Sequence, residues 1–313
     1  MENNTATSQP GCSLPDSIST APLIRLSQPV RGLNGVSLLG KAEWASPCGS
    51  IKHRAAAAML RDARDRGALT HGKTILDASS GNTGIALAMF GAALGLQVHL
   101  AMPASVTAEH KSILRACGAT VDWTDAGNGI DGAILRAREL DGNHPGRFCY
   151  LDQFSNDANW LAHYNTTGAE IWQQSSGQIT HFVAGLGSSG TFIGATRRLK
   201  QFNPLLQAIS ILPDSPSHGI SGLKYFGDSI VPAIYNPHLG NRMLEVETEA
   251  AHDMVRKLAR DEGLLVGPSS AAAVFAAMRI AHEEARAGRS AVIVAILPDS
   301  GLKYLSERFW EPV

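Results

Sequence analysis

The four cysteines of this 313-residue chain, Cys12, Cys48, Cys117 and Cys149, never fall in a CxxC spacing. That gives no sign of a zinc site or of a disulfide framework. Its 11 histidines are scattered, without HExxH or any other paired ligand spacing, so no metal centre is expected. An excess of one charge is also missing. The 27 Lys and Arg against 28 Asp and Glu leave no electrostatic footprint for nucleic acid or for an acidic membrane. The longest apolar run, Gly84 to Leu96, is too short and too rich in glycine and alanine to cross a bilayer. Residues 1–20 carry neither a basic segment nor an apolar stretch, and read as a mostly disordered lead-in rather than a signal peptide. What remains is a protein that handles small molecules, with a reducing cytoplasm as the economical location.

There is ample material for a core, with 44% hydrophobic and 18% charged residues. Strand and helix patterns alternate. Strands are expected at 36–43, 74–77, 97–101, 120–123 and 148–151, and helices at 52–66, 83–94, 108–117 and 130–140. The second half repeats the rhythm, with helices at 159–174, 191–201, 248–262 and 270–287 and strands at 179–184, 208–212 and 291–297. A stretch at 213–237 has weak regularity and reads as a functional loop. This order predicts an α/β protein with two mainly parallel sheets covered by helices, dividing near 150–160, and a ligand in the cleft between them.

Three turns rich in glycine and serine adjoin helix starts: SSGNTG (Ser79 to Gly84), GLGSSGT (Gly185 to Thr191) and GPSSAAA (Gly267 to Ala273). Each can present backbone N–H groups and hydroxyls to an anion, although an ordinary turn would have the same letters. Gly185 to Gly190 also matches the GxGxxG of dinucleotide binding, but the acidic residue expected about 20 positions on is poorly placed, Asp214 lying late. The loop suits a single phosphate monoester equally well, cradled by Gly187, Ser188, Ser189, Gly190 and Thr191. No Gly-Lys-Ser/Thr follows, so it is not a Walker A loop. The fourth feature is Lys52, which opens an alanine-rich helix just after a Pro-Cys-Gly loop.

The segments PCGSIKHRAA, SSGNTGIALAM, LDQFSNDANWLAHYNTTGAEIWQQ, ITHFVAGLGSSGT, GPSSAAAV and DSGLKYLS occur in this order between about residues 22 and 306. Together they resemble the cysteine synthase family, and within it the B-type enzymes. The resemblance implies dependence on pyridoxal 5′-phosphate (PLP). It also implies the tryptophan-synthase-β type of fold, with two three-layer α/β/α domains. A smaller domain would span 44–156 and a larger one 21–43 plus 157–313, with the active site between them.

The same resemblance implies roles. Lys52 would form a Schiff base with PLP and then remove the substrate Cα proton. Asn82 would bond the 3′-oxygen of PLP, and Ser269, or its neighbour Ser270, would face the ring nitrogen. A hydroxyl there makes a weaker electron sink than a carboxylate and favours prompt loss of a β-leaving group. Ser269 as a plain helix N-cap is the alternative. Ser79, Ser80, Gly81, Thr83 and Gln153 would receive the substrate carboxylate. Lys224, in HGISGLKYFGDS, is expected either to hold an anionic group of donor or nucleophile or to be an ordinary solvated lysine.

The implied reaction is β-replacement on O-acetylserine or O-phosphoserine through an aminoacrylate, giving L-cysteine from sulfide or S-sulfocysteine from thiosulfate. The partners would be an amino-acid substrate and a small nucleophile, in a cytoplasmic homodimer. Alternatives are a different nucleophile, as in diaminopropionate- or cystathionine-type synthesis, and more remotely an NAD-dependent dehydrogenase resting on GLGSSG. The chain departs from the family pattern at Ser46, at His53 directly after the lysine, and at Thr20-Ala21-Pro22-Leu23. Altered loop packing rather than lost activity is expected there.

Overall fold

The computed structural model describes residues 13–17 and 20–311. Most of the expected lead-in therefore lies outside the described residues. Its end departs from the expectation: Leu14–Asp16 form a short 3₁₀ turn, with Leu14 packed on a hydrophobic core.

Two sheets organise the chain. The larger has six strands in the order β1 (Leu23–Arg25), β2 (Val36–Ala42), β10 (Ala291–Leu297), β7 (His181–Gly185), β8 (Gln207–Pro213) and β9 (Arg242–Val246). The smaller has four, in the order β5 (Thr120–Thr124), β4 (Val98–Pro103), β3 (Thr74–Ala78) and β6 (Phe148–Tyr150). Every pairing is parallel except β1 with β2. Parallel strands need covered faces, and central strands such as β10 (AVIVAIL) are accordingly apolar and buried almost throughout.

The helices supply the cover. They are α1 (Lys52–Asp65), α2 (Asn82–Leu94), α3 (Ala108–Ala116), α4 (Gly129–Asn143), α5 (Asp157–Asn165), α6 (Thr167–Gln174), α7 (Gly190–Phe202), α8 (Thr248–Asp261) and α9 (Pro268–Arg286). The protein has two three-layer α/β/α domains. No helix among the described residues is long and apolar enough to cross a membrane.

Three differences from the sequence expectations have local causes. The single helix expected over 159–174 is two, broken at Thr166 (φ −118°, ψ −75°), whose hydroxyl donates to the Ala162 carbonyl. Strand β9 was not foreseen because only Leu244 and Val246 of its residues are buried, as befits an edge. Strand β1 was missed because it has only three residues and none is fully buried.

One buried ionic cluster joins four segments around the start of α1. Arg54 bonds Glu43 at 2.8 Å and Glu170 at 2.7 and 2.9 Å, while Lys41 bonds Glu170 at 2.6 Å, Gln174 at 2.9 Å and the Ala21 carbonyl at 2.6 Å. Burial raises the Glu43 carboxyl and lowers the Lys41 ammonium relative to their ordinary values, with the opposite charges working against both shifts. Such a cluster contributes little net stability when whole but leaves an uncompensated charge when one partner is removed.

Arg54→Met is therefore expected to cost about 3–5 kcal/mol, or roughly 5–15 °C in the thermal midpoint for a chain of this length. Arg54→Lys should recover only part, because one ammonium does not bridge two carboxylates as a guanidinium does. A midpoint for Arg54→Met within about 2 °C of wild type would contradict this reading of the cluster.

Candidate active site

The C-terminal ends of strands from both sheets face one cavity. This is where an α/β architecture presents its loops and helix N-termini. The wall includes Lys52, Ser79, Ser80, Asn82, Thr83 and Gln153 on one side. Gly187, Ser188, Ser189, Thr191, Lys224 and Ser269 line the other.

Lys52 is the first residue of α1, and the accessible part of its side chain faces the cavity. Burial lowers its ammonium from 10.5 to about 8, with the Asp299 carboxyl pulling the other way. A fall of that size raises the fraction of neutral amine near neutral pH by roughly two orders of magnitude. The lysine is thus prepared to act as a nucleophile or a base.

The GLGSSG turn leads from β7 into α7. Its shape depends on absent side chains: a Cβ on Gly187 would meet the Gly222 carbonyl at 2.6 Å, and one on Gly190 would meet Asn159 Oδ1 at 2.0 Å. Ser189 holds a left-handed φ of 71°, and its buried hydroxyl has no hydrogen-bond partner. Left-handed backbone at a non-glycine residue is uncommon, and a buried unpaired hydroxyl is costly. Both are accounted for if the turn holds an anion at the start of α7. Asn159 braces this turn, donating to Ser188 Oγ at 3.0 Å and to the Gln153 carbonyl at 2.7 Å. Gly190 itself presses on Asn159 and does not line the cavity, so any contact from it would come through its backbone.

On the opposite side the donors are partly committed. Ser79 Oγ accepts from the amides of Gly81 and Gly84 at 3.0 and 2.9 Å, which organises the start of α2. Gly81 is not on the cavity wall; the space a side chain would need is taken by His110, whose Nε2 lies 2.7 Å from the Cβ position. Thr83 donates its hydroxyl to Gln153 Oε1 at 2.8 Å, and Gln153 Nε2 donates to the Ala78 carbonyl at 2.6 Å. Gln153 therefore keeps one free Nε2 hydrogen, and Thr83 acts as its support. Ser80 remains a partly exposed hydroxyl on the wall.

Ser269 is the second residue of α9 and lines the cavity, whereas Ser270 turns its hydroxyl to the Asp299 carbonyl at 3.3 Å. The cap position of α9 is Gly267, so Ser269 is not a plain N-cap. Lys224 is neither solvated nor free; it is 3% exposed and ion-paired with Asp131. The family departures have structural counterparts. Ser46 closes the lysine loop through Ser50, accepting from its amide at 3.1 Å and donating to its carbonyl at 2.8 Å. Burial and the Arg54 charge lower His53 to about 4, so it sits as a neutral ring against Phe90.

Sequence reasoning missed the residues behind the wall. Asn82 donates its amide to Asp299 Oδ2 at 2.7 Å and accepts from Lys303 Nζ at 2.7 Å, which fixes which end of the amide carries nitrogen. Lys303 also bonds the Gly49 carbonyl at 2.9 Å, and Tyr304 donates to Asp299 at 2.7 Å. All three lie in the DSGLKY segment, whose charged residues four apart were a visible signal without an assigned purpose. His163 and Asp131 carried no signal at all. The ring nitrogens of His163 lie 2.9 Å from Thr167 Oγ1 and 3.3 Å from Thr191 Oγ1, beneath the turn.

The Lys52–Asp299 relation has a direct check. After reductive methylation with ¹³C-formaldehyde, the Lys52 resonance should titrate near pH 8. Asp299→Asn should move that midpoint down, since the carboxylate favours the ammonium form. A midpoint at the ordinary lysine value, or an upward shift in the variant, would contradict the assignment.

Comparison with known proteins gives one consistent answer. The sequence profile of the family described as "Pyridoxal-phosphate dependent enzyme" matches residues 14–299. A cysteine synthase of Aquifex aeolicus is 48% identical over 291 residues, covering 92% of this chain and 89% of that protein. A cysteine synthase B of Pseudomonas aeruginosa is 40% identical over 300 residues, covering 96% and 98%. The crystal structure of a cysteine synthase from Entamoeba histolytica superposes with a TM-score of 0.88 at 29% identity, covering 100% of this chain and 94% of that one. With the family profile matched over residues 14–299 and relatives at 48% and 40% identity over most of their length, the chain belongs to the pyridoxal-phosphate-dependent enzymes, in their cysteine synthase family.

Proposed function

We propose that the chain catalyses β-replacement on an activated L-serine to form L-cysteine, with PLP as cofactor. The observation that carries this reading is the placement of Lys52, a lysine of lowered basicity, between an anion-holding turn and a wall of hydroxyl and amide donors in one cavity. The residues fit PLP. Gly187, Ser188, Ser189 and Thr191, with the amide of Gly190, would hold its phosphate, using the unpaired Ser189 hydroxyl and the start of α7. Asn82, held at both ends, has one Nδ2 hydrogen left for the 3′-oxygen, and Ser269 would face the ring nitrogen.

When bound, PLP supplies a conjugated electron-withdrawing ring that stabilises negative charge developing at the substrate Cα. Lys52 would hold the cofactor through its amine, and its Nζ, as a free base, would take the substrate Cα proton. Ser80 and the free hydrogen of Gln153 orient the substrate carboxylate, with Ser79 and Thr83 keeping those donors in place. Acetate leaves Cβ with the electron pair of the C–O bond, the sulfur nucleophile gives its pair to Cβ, and Lys52 returns the proton to Cα. O-acetyl-L-serine and hydrogen sulfide thus become L-cysteine and acetic acid.

The same reading makes the enzyme a cytoplasmic homodimer; the unpaired thiols of Cys48, Cys117 and Cys149 suit a reducing compartment. Cysteine formation from O-acetylserine and sulfide by the holoenzyme is the test. Lys52→Ala is expected to lose at least about 10³-fold in turnover. A variant retaining more than about a tenth of the rate, or a wild type that forms no cysteine, would defeat the reading. Product formation only with an amine or with a thiol such as homocysteine in place of sulfide would instead assign the alternative nucleophile.

A further inference from the structure

We propose that Asp131 is a specificity-determining residue, which neutralises Lys224 at the cavity mouth and so selects a donor with an uncharged ester over one carrying a phosphate dianion. This rests on the β-replacement reading and concerns its substrate. The geometry behind it involves both sheets. Lys224 lies in the irregular stretch between β8 and β9, its backbone N–H held by the Leu186 carbonyl at 2.9 Å next to the anion-holding turn. Its ammonium crosses to the carboxylate of Asp131 in the first turn of α4, on the smaller sheet's side. The second carboxylate oxygen of Asp131 accepts the Ile230 amide at 3.0 Å. One acid thereby fixes the irregular stretch at two points.

The burial is asymmetric, and this decides the direction of the effect. Lys224 is 3% exposed and lines the inner cavity, while the Asp131 side chain is 25% exposed and lines the outer mouth. The outer mouth also carries Asp228 and Glu307, with Lys224 as the one lysine or arginine on its wall among the described residues. His218, the histidine on that wall, is held toward its neutral form by burial. With Asp131 in place, the mouth therefore offers a phosphate dianion no uncompensated cation. Without the Asp131 charge, Lys224 becomes a desolvated ammonium lacking a counter-ion, and a phosphate ester on the substrate Cβ is the anion that can supply one. The bond changes of the reaction stay as given above, with phosphate leaving Cβ in place of acetate.

The experiment compares kcat/KM for O-acetyl-L-serine and O-phospho-L-serine, with sulfide, in holoenzyme preparations of wild type, Asp131→Asn, Lys224→Met and the double variant. The half-saturating concentration of O-phospho-L-serine is read in parallel from the change in cofactor absorbance without nucleophile. Wild type should prefer the acetyl donor. Asp131→Asn should raise the phospho-to-acetyl ratio roughly tenfold or more and tighten phosphoserine binding to match. Lys224→Met added to Asp131→Asn should abolish that gain, which separates a charge effect from loosened packing. Should Asp131→Asn not fold, Asp131→Ser is read in the same way. An unchanged ratio, a gain that survives in the double variant, or a wild type preferring phosphoserine overturns the role of Asp131. Absence of cysteine with both donors overturns the β-replacement reading as well.

Discussion

The carboxylate of Asp299 is the charge around which the site is arranged. It is fully buried two residues beyond β10, and desolvation raises it above the usual carboxylate value. Lys303, the Asn82 amide and the Tyr304 hydroxyl together oppose that tendency. In return it orients Asn82 and keeps Lys52 from an even lower basicity. A lysine in such a cavity without a nearby anion would lose more of its affinity for a proton; one paired directly with a carboxylate would keep too much. Asp299 acts on Lys52 without a hydrogen bond to it, and the intermediate basicity follows.

The rest of the fold keeps this arrangement in register. Lys303 ties the lysine loop to Asn82, so the start of α1 and the start of α2 are fixed by one ammonium. The ionic cluster of Lys41, Glu43, Arg54 and Glu170 then holds α1 from its other face, two residues beyond Lys52. Neither cluster would improve stability over well-packed apolar side chains of similar size. Their effect is geometric: the cavity wall is assembled from loops of two sheets, and buried ion pairs accept few alternative placements.

The parts legible in the sequence were those with a strong period or a demanding backbone. Strand β10 and helices α1 and α2 are apolar or alanine-rich enough to announce themselves, α7 shows a one-sided apolar pattern, and β10 begins and ends where expected. GLGSSG announced a turn at a helix start, yet its letters alone fit a dinucleotide as well as a phosphate. The proximity of Lys52 and the strained Ser189 come from the fold and favour the phosphate. Lys224 was legible as a lysine in a functional loop but not as half of an ion pair, because Asp131 lies far away in sequence on an ordinary helix face. Thr83 and Gln153 were both named as separate donors, and only the structure joins them. Sequence periodicity reports what faces a core; it carries no information on which buried polar groups neutralise one another across two sheets.

Among the lysines at or near this cavity, Lys52 is the one proposed to bind the cofactor. Borohydride reduction of the holoenzyme makes that bond permanent, and mass spectrometry of the digested protein then locates it. The phosphopyridoxyl group should be found on Lys52, within the segment Gly49-Ser50-Ile51-Lys52-His53. The same group on Lys303 or Lys224 instead, or no labelled lysine in protein saturated with PLP, would contradict it.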